Sequence, residues 1–288
     1  MKTRKLLAVM ATGVLATSLL VACSSNQSNS NQVQSVDEAK TVSFMQLANE
    51  NTERIWYIVD DSNEDGQISK DDEIRSVLIV KNGNADHYFL VDTTLADIKD
   101  KTDEEIVELV KDLDKKNFDE EKTKKIQSLT ESISSTEEYI KEMEISLNEK
   151  TDKTDENAVS WHETEIASST EQLESAKSNL SEIESLNYQD IKSQYSDYTI
   201  RAVVETDASG NNVATEELKL KGKGYTNLTD VYNISLELQY QVNGDIYNQT
   251  YTGYSLDRER FLISNSESLG NNVSLGFDTL DTKNVTEE

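Results

Sequence analysis

The spacing of apolar residues changes character several times along this chain. Leu6 to Val21 is a mainly apolar run closed by polar sequence. Further on, the apolar residues come in short blocks: Ile55-Trp56-Tyr57-Ile58-Val59, Ser76 to Val80, and Tyr88-Phe89-Leu90-Val91. Blocks of this length, rich in β-branched and aromatic residues, predict strands, with a short helix over Val42 to Ala48 before them. Lys81-Asn82-Gly83-Asn84 joins the second and third blocks, and Asn-Gly suits a tight hairpin that needs positive φ. Thr102-Asp103-Glu104-Glu105 has the form of a helix capping box. Ile106, Val107, Leu109, Val110 and Leu113 follow at helical spacing, a stripe suited to covering one face of a small sheet. The expectation is a three-stranded meander backed by a helix.

The middle follows another rule. Ile126, Leu129, Ile133, Thr136, Ile140, Met143 and Leu147 alternate steps of three and four, the seam of a coiled coil. A polar break at residues 151–157 follows, and the seam resumes at Val159, Ile166, Leu173 and Leu180, interleaved with Ser169, Ala176 and Ile183. Two helices with a short link predict an antiparallel hairpin, on the order of 35 Å long. His162, Ser169 and Thr136 weaken that seam, which favours a single chain folding back, and a monomer, over strong association between chains.

From Tyr198 the period becomes two. "YTIRAVVE", "VATEELKL", "VYNISLELQYQV", "DIYNQTYTGY", "RFLIS" and "NVSLGFD" are separated by Ser209-Gly210-Asn211, Gly222-Lys223-Gly224, Asn243-Gly244 and Gly270-Asn271. Alternation at Ile234, Leu236, Leu238, Tyr240 and Val242 predicts antiparallel strands with one covered face. The tyrosines gathered here read as cross-strand packing pairs, with a ligand platform as the other reading. The fold class is therefore α+β: a small N-terminal antiparallel meander with a helix, a long antiparallel helical hairpin, and a C-terminal antiparallel β module. The expected segments are a signal peptide over 1–22, a Ser/Asn-rich tether over 23–41, an α+β module over 42–118, the hairpin over 119–195 and the β module over 196–288.

Charge narrows the partners. The chain holds 28 Lys and Arg against 55 Asp and Glu, a net charge of −27. Removing residues 1–22 takes away Lys2, Arg4 and Lys5 but no acid, which brings the net charge near −30. Such a surface repels nucleic acid and anionic headgroups, so nucleic acid is excluded as an expected partner.

The same first residues carry an address. A basic start, an apolar run too short for a membrane span, and Leu20-Val21-Ala22-Cys23 resemble a bacterial lipobox. Cys23 is the sole cysteine, so no internal disulfide is expected. The expectation is a diacylglycerol-bearing, palmitate-type lipoprotein anchored at Cys23 to the extracellular face of a Gram-positive cell membrane. Each buried methylene contributes about 0.8 kcal/mol, so two chains hold where one comes and goes.

Catalytic chemistry is thinly represented. His87 and His162 are the only histidines, and neither has a sequence partner suited to nucleophilic catalysis. No His/Cys cluster suits zinc, and no GxxxxGK loop suits a nucleotide. Carboxylate pairs for glycoside cleavage stay open, because 55 acids supply many pairings. The stretch from Asp61 to Asp72 resembles an EF-hand loop, with Asp61, Asn63 and Asp65 at alternating positions, then Gly66, the Gln67 carbonyl, Ser69 and Asp72. These six liganding positions are the candidate Ca2+ site. An Asx-rich turn between two strands is the competing reading.

The lipobox, "ERIWYIVDD", "VLIVKNG", "LADIKDKTDEEIVELVKDLDKKNF", the helical hairpin, "YTGYSLDRERFLI" and "FDTLDTKNVT" together resemble uncharacterised surface lipoproteins of low-GC Gram-positive bacteria, of the lactic acid and streptococcal type. The resemblance implies a location and an order of parts, and no site residue beyond Cys23. The leading expectation is a non-enzymatic binding and spacer protein of the cell envelope, with an extracellular or envelope protein as partner. The alternatives are a wall-polymer hydrolase or envelope-assembly factor, and a solute-binding lipoprotein.

Overall fold

The structure is a computed structural model that describes residues 40–195, 198–210, 212–223, 231–257, 259–270 and 273–288. The elements in chain order begin with β1 (Lys40–Ser43), α1 (Phe44–Ala48), β2 (Arg54–Asp60), β3 (Glu73–Lys81) and β4 (Asn84–Phe89). The helices α2 (Asp103–Ile145), α3 (Glu156–Ser185) and α4 (Tyr188–Tyr195) follow. The remainder is β5 (Tyr198–Thr199), β6 (Arg201–Thr206), β7 (Val213–Lys223), β8 (Val231–Leu238), β9 (Gln241–Ile246), β10 (Gln249–Ser255), β11 (Arg260–Asn265), α5 (Ser266–Leu269), β12 (Val273–Gly276) and β13 (Val285–Glu287).

The α+β class holds, and so does the meander β2-β3-β4. Asn82 (φ 55°) and Gly83 (φ 79°) turn the hairpin between β3 and β4 in the left-handed region that the Asn-Gly pair predicts. The meander is not a separate module, however. Its β2 edge pairs antiparallel with β11, Ile58 opposite Leu262, and the sheet runs β5-β4-β3-β2-β11-β10-β9. An open β2 edge would leave a row of unpaired backbone groups, and β11 satisfies them. The 42–118 and 196–288 segments thus share one seven-stranded antiparallel sheet and one compact unit over Glu38–Glu288.

A second sheet, β13-β6-β7-β8, packs on one face of the first. Between them lies a core containing Trp56, Ile58, Leu78, Val80, Tyr254 and Leu262 from the large sheet, and Ala202, Leu218, Leu220, Leu236 and Leu238 from the small one. The other face of the large sheet buries Tyr57, Val59, Val77, Tyr251 and Phe261 against Ile106 and Val110 of α2. The molecule is three layers deep here, with α2 as the outermost.

One turn prediction fails in the C-terminal strands. Asn243 and Gly244 lie inside β9, opposite Thr252 and Tyr251, and the turn falls at Tyr247 (φ 51°) and Asn248 (φ 68°). Gly244 serves packing instead: a Cβ there would meet Ile68 Cβ at 2.8 Å. Gly222 and Lys223 end β7, and Gly224 lies outside the described residues. The alternation from Ile234 to Val242 spans two strands in two sheets, so Tyr240 at the crossover is 57% exposed.

The capping box forms as read. The Glu105 amide donates to Thr102 Oγ1 at 3.3 Å, and the Thr102 amide donates to Glu105 Oε2 at 2.8 Å. From there α2 runs 43 residues, about 65 Å, because neither Gly nor Pro interrupts 103–145. It crosses the expected boundary at 118/119 without a break, and the hairpin exceeds the predicted length. Every predicted seam position on α2 and α3 is at least half-buried while the intervening residues are mostly exposed. Lys122 Nζ donates to the carbonyls of Glu184 and Leu186 at 2.8 Å each, and Lys177 pairs with Glu137 at 2.9 Å, which gives an antiparallel pair.

Candidate functional site

The Asp61–Asp72 loop joins β2 to β3, turning through Glu64 (φ 54°) and Gly66 (φ 74°). Asp61 and Asp72 are 4% and 0% exposed. Asp61 accepts the Asn63 amide at 3.2 Å on one oxygen and the Gly66 amide at 2.6 Å on the other. Asp72 accepts the Ser62 amide (3.2 Å), the Ser69 amide (2.8 Å) and the Ser69 hydroxyl (3.0 Å). Asn63 Nδ2 donates to Ser69 Oγ at 3.2 Å. Asp61, Asn63, Ser69 and Asp72 are thereby brought into one hydrogen-bonded loop. Asp65 and Gln67 stay at its exposed tip, where the Asp65 carboxylate accepts the Gln67 amide at 2.9 Å.

In this structure the loop's polar side chains bond to the loop itself rather than gathering around one point. Among the described residues no three Asp, Glu, His or Cys side chains are placed to hold one metal. The two buried carboxylates turn instead toward loop N–H and O–H groups. Burial pushes the Asp72 carboxyl up, the Asp61 charge adds to this, and the bonds from Ser69 and Ser62 oppose it. Ile68, the apolar residue of the loop, packs into the core beside Gly244, which fixes the loop against β9.

A cleft of about 760 Å³ opens beside the loop. Its floor is Ile58, Phe89, Ile234 and Leu236, and its rim includes Asp60, Arg75, His87 and Arg260. One wall is the part of the large sheet's inner face around Ile58, Ser76 and Phe89; the other is β8, through Ile234 and Leu236. Arg75 pairs with Asp60, and Arg260 grips Asp257 Oδ2 through Nε at 2.8 Å and Nη2 at 2.6 Å. Sequence reasoning missed this cleft, since its residues come from strands up to two hundred positions apart. The available signal was Ser76, a polar residue on the face that otherwise carries Leu78 and Val80.

His87 sits within β4, opposite Leu78, and lines the cleft. His162 takes its expected place in the hairpin seam, with Nδ1 2.9 Å from the Ala158 carbonyl and Nε2 3.1 Å from Ser146 Oγ. The carbonyl contact assigns the proton to Nδ1, so the Ser146 hydroxyl donates to Nε2. A carboxyl held far above its usual range lies elsewhere. Glu216 on β7 is fully buried between the sheets, and burial followed by the Asp278 charge pushes it up to about 9. It lines neither this cleft nor a second groove on the small sheet. Cys23 lies outside the described residues.

Compared with family models, with curated proteins and with solved structures, the chain matches none. Among the described residues no helix is long and apolar enough to cross a membrane.

Proposed function

We propose that this chain is a lipid-anchored extracellular protein of a Gram-positive envelope, held at Cys23, that binds a partner without catalysing a reaction on it. The observation that carries the binding reading is the cleft beside the Asp61–Asp72 loop. An apolar floor beneath a charged rim, with Arg75 paired to Asp60 and Arg260 to Asp257, is the composition expected of a recognition site. Hydrolysis of a wall polymer asks for two carboxyls facing a shared substrate, one of them held protonated. The carboxyl pushed up to about 9, Glu216, is sealed in the core away from the cleft. A solute-binding protein built from βα units would carry parallel sheets, whereas every pairing in the large sheet is antiparallel. The hairpin then serves as a spacer that extends beyond the layered body.

Photo-crosslinking on intact cells tests both parts. A crosslinker at Arg75, on the cleft rim, should capture a reproducible neighbour that one at Glu138, on the exposed hairpin, does not. Identical capture from both positions would remove the cleft from consideration. Cys23→Ala should lose acyl label and leave the membrane; a variant that stays membrane-bound without label would end the anchoring proposal.

A further inference from the structure

We infer that the outer face of the four-stranded sheet carries a site for a phosphate-bearing ligand, built from Arg201, Lys219 and Lys221. The inference stands apart from the cleft proposed above, with which this groove shares only Ile234.

The two faces of this sheet divide by parity. Ala202, Leu218, Leu220 and Leu236 turn inward and are buried, while Arg201, Lys219, Lys221 and Asn233 turn outward and are exposed. Alternation of this kind accounts for polar residues on the outer face, but not for their sign. Arg201 on β6 lies directly opposite Lys219 on β7, and Lys221 is the next outward residue along β7. Like charges placed directly across a ladder cost stability. The chain as a whole has about twice as many acids as bases. Even so, three bases and one acid, Glu217, line a groove of about 700 Å³ here.

Compensation within the protein is partial. Lys219 pairs with Glu217 at 3.0 Å, but among the described residues neither Arg201 nor Lys221 has a carboxylate within salt-bridge reach. Glu205 lies further along the same face, opposite Thr215, whose hydroxyl donates to its carboxylate at 3.2 Å. A surface shaped only for solubility intersperses the two signs. Here three bases lie together, with Glu217 the one acid lining the groove among them.

The chemistry of the groove selects among anions. The Arg201 guanidinium offers a planar fork suited to two phosphate oxygens, and the lysines add mobile point charges. Asn233 faces Lys221 across the ladder and supplies an amide donor. Lys221 Nζ stands 5.1 Å from the centroid of the Tyr198 ring, which gives the groove an aromatic wall. The groove is larger than a bare phosphate ion requires. The class that fits is a phosphate ester of a small organic group, free or as a lipid headgroup.

The test is a titration of the full chain with glycerol phosphate at low ionic strength, beside binding to vesicles of phosphatidylglycerol and of phosphatidylcholine. Wild type and the double variant Arg201→Gln/Lys221→Gln are compared throughout. Saturable glycerol phosphate binding that the variant weakens at least tenfold supports the site with a soluble ester as ligand. Binding that the variant loses only on phosphatidylglycerol vesicles supports it with a headgroup as ligand. The melting temperature should hold or rise in the variant, because the like-charge contact is relieved, so lost binding is not lost folding. Equal binding by the two proteins, or no phosphate-dependent binding by either, overturns the inference.

Discussion

The Tyr188 hydroxyl donates to Asp114 Oδ2 at 2.7 Å, joining residues 74 positions apart at the base of the hairpin. The other Asp114 oxygen accepts the Phe89 amide at 3.0 Å, and Lys192 Nζ lies 3.8 Å from Oδ2. One carboxylate, 1% exposed, therefore ties α2 to α4 and to β4. Burial, followed by the Asp114 charge, pushes the Tyr188 hydroxyl far above the usual tyrosine range, so it remains a donor.

Breaking this junction should cost more from one side than from the other. Asp114→Ala removes the carboxylate that accepts both the Phe89 amide and the Tyr188 hydroxyl, and about 3 kcal/mol should be lost. Tyr188→Phe removes a single donor and should cost about 1 kcal/mol. In urea unfolding the double variant should lose less than the two singles together. Strict additivity would show that the two side chains do not act as a unit.

The Glu216–Asp278 contact makes a prediction about pH. Glu216 accepts the Asp278 amide at 2.7 Å, while Asp278 accepts the Met45 amide at 2.8 Å and the Ser43 hydroxyl. The pair thus joins β7, the C-terminal segment and the start of α1. The Glu216 carboxyl is raised from 4.5 to about 9 in the fold. A group raised on folding contributes stability that is complete below its unfolded value and is lost as pH climbs through the folded one. Unfolding free energy should therefore fall between about pH 5 and 9, with a slope from this group approaching ~1.4 kcal/mol per pH unit. Glu216→Gln should remove that component. Parallel pH profiles for wild type and variant, measured by urea unfolding, would count against a protonated Glu216.

These junctions mark the boundary of what the sequence discloses. Thr102 with Glu105, Asn82 with Gly83, and the seam from Ile126 to Leu147 are legible because their partners lie within a few residues or repeat at a fixed step. The pairing of β2 with β11 has no such signature: Ile58 and Leu262 are two apolar residues that suit many neighbours. Asn243-Gly244 misleads for a related reason, since a glycine needed for the approach of Ile68 looks like one needed for a turn. The cleft and the cationic groove combine residues from strands that only the sheet order makes adjacent. Arg201 opposite Lys219 is a property of register, and register is not written in either strand alone.

The Asp61–Asp72 loop should be held by its own hydrogen bonds more than by calcium. Asp72 accepts three bonds and is fully buried, so Asp72→Ala should cost about 2–3 kcal/mol. Thermal unfolding of the full chain should show that loss with EDTA present and with millimolar calcium alike. A calcium-dependent rise in melting temperature that Asp65→Ala abolishes would make the loop a cation clasp instead.

The outer part of the hairpin should be dispensable for folding. Among the described residues none between 130 and 182 belongs to the three cores, whereas Phe118, Ile183, Tyr188 and Ile191 anchor the hairpin's base. Residues 130–176 contact one another across a seam that includes Ser169 and His162, and such a seam adds little to the layered body. Replacing 130–176 with a short Gly/Ser link keeps the Lys122 contacts to Glu184 and Leu186. The shortened chain should lose a large share of its helical circular dichroism yet unfold in one cooperative step, within a few degrees of wild type. It should also keep its binding of glycerol phosphate, because Arg201 and Lys221 lie on the sheet. Loss of the cooperative transition would mean that the hairpin stabilises the sheets it extends from, and the spacer role would have to be abandoned.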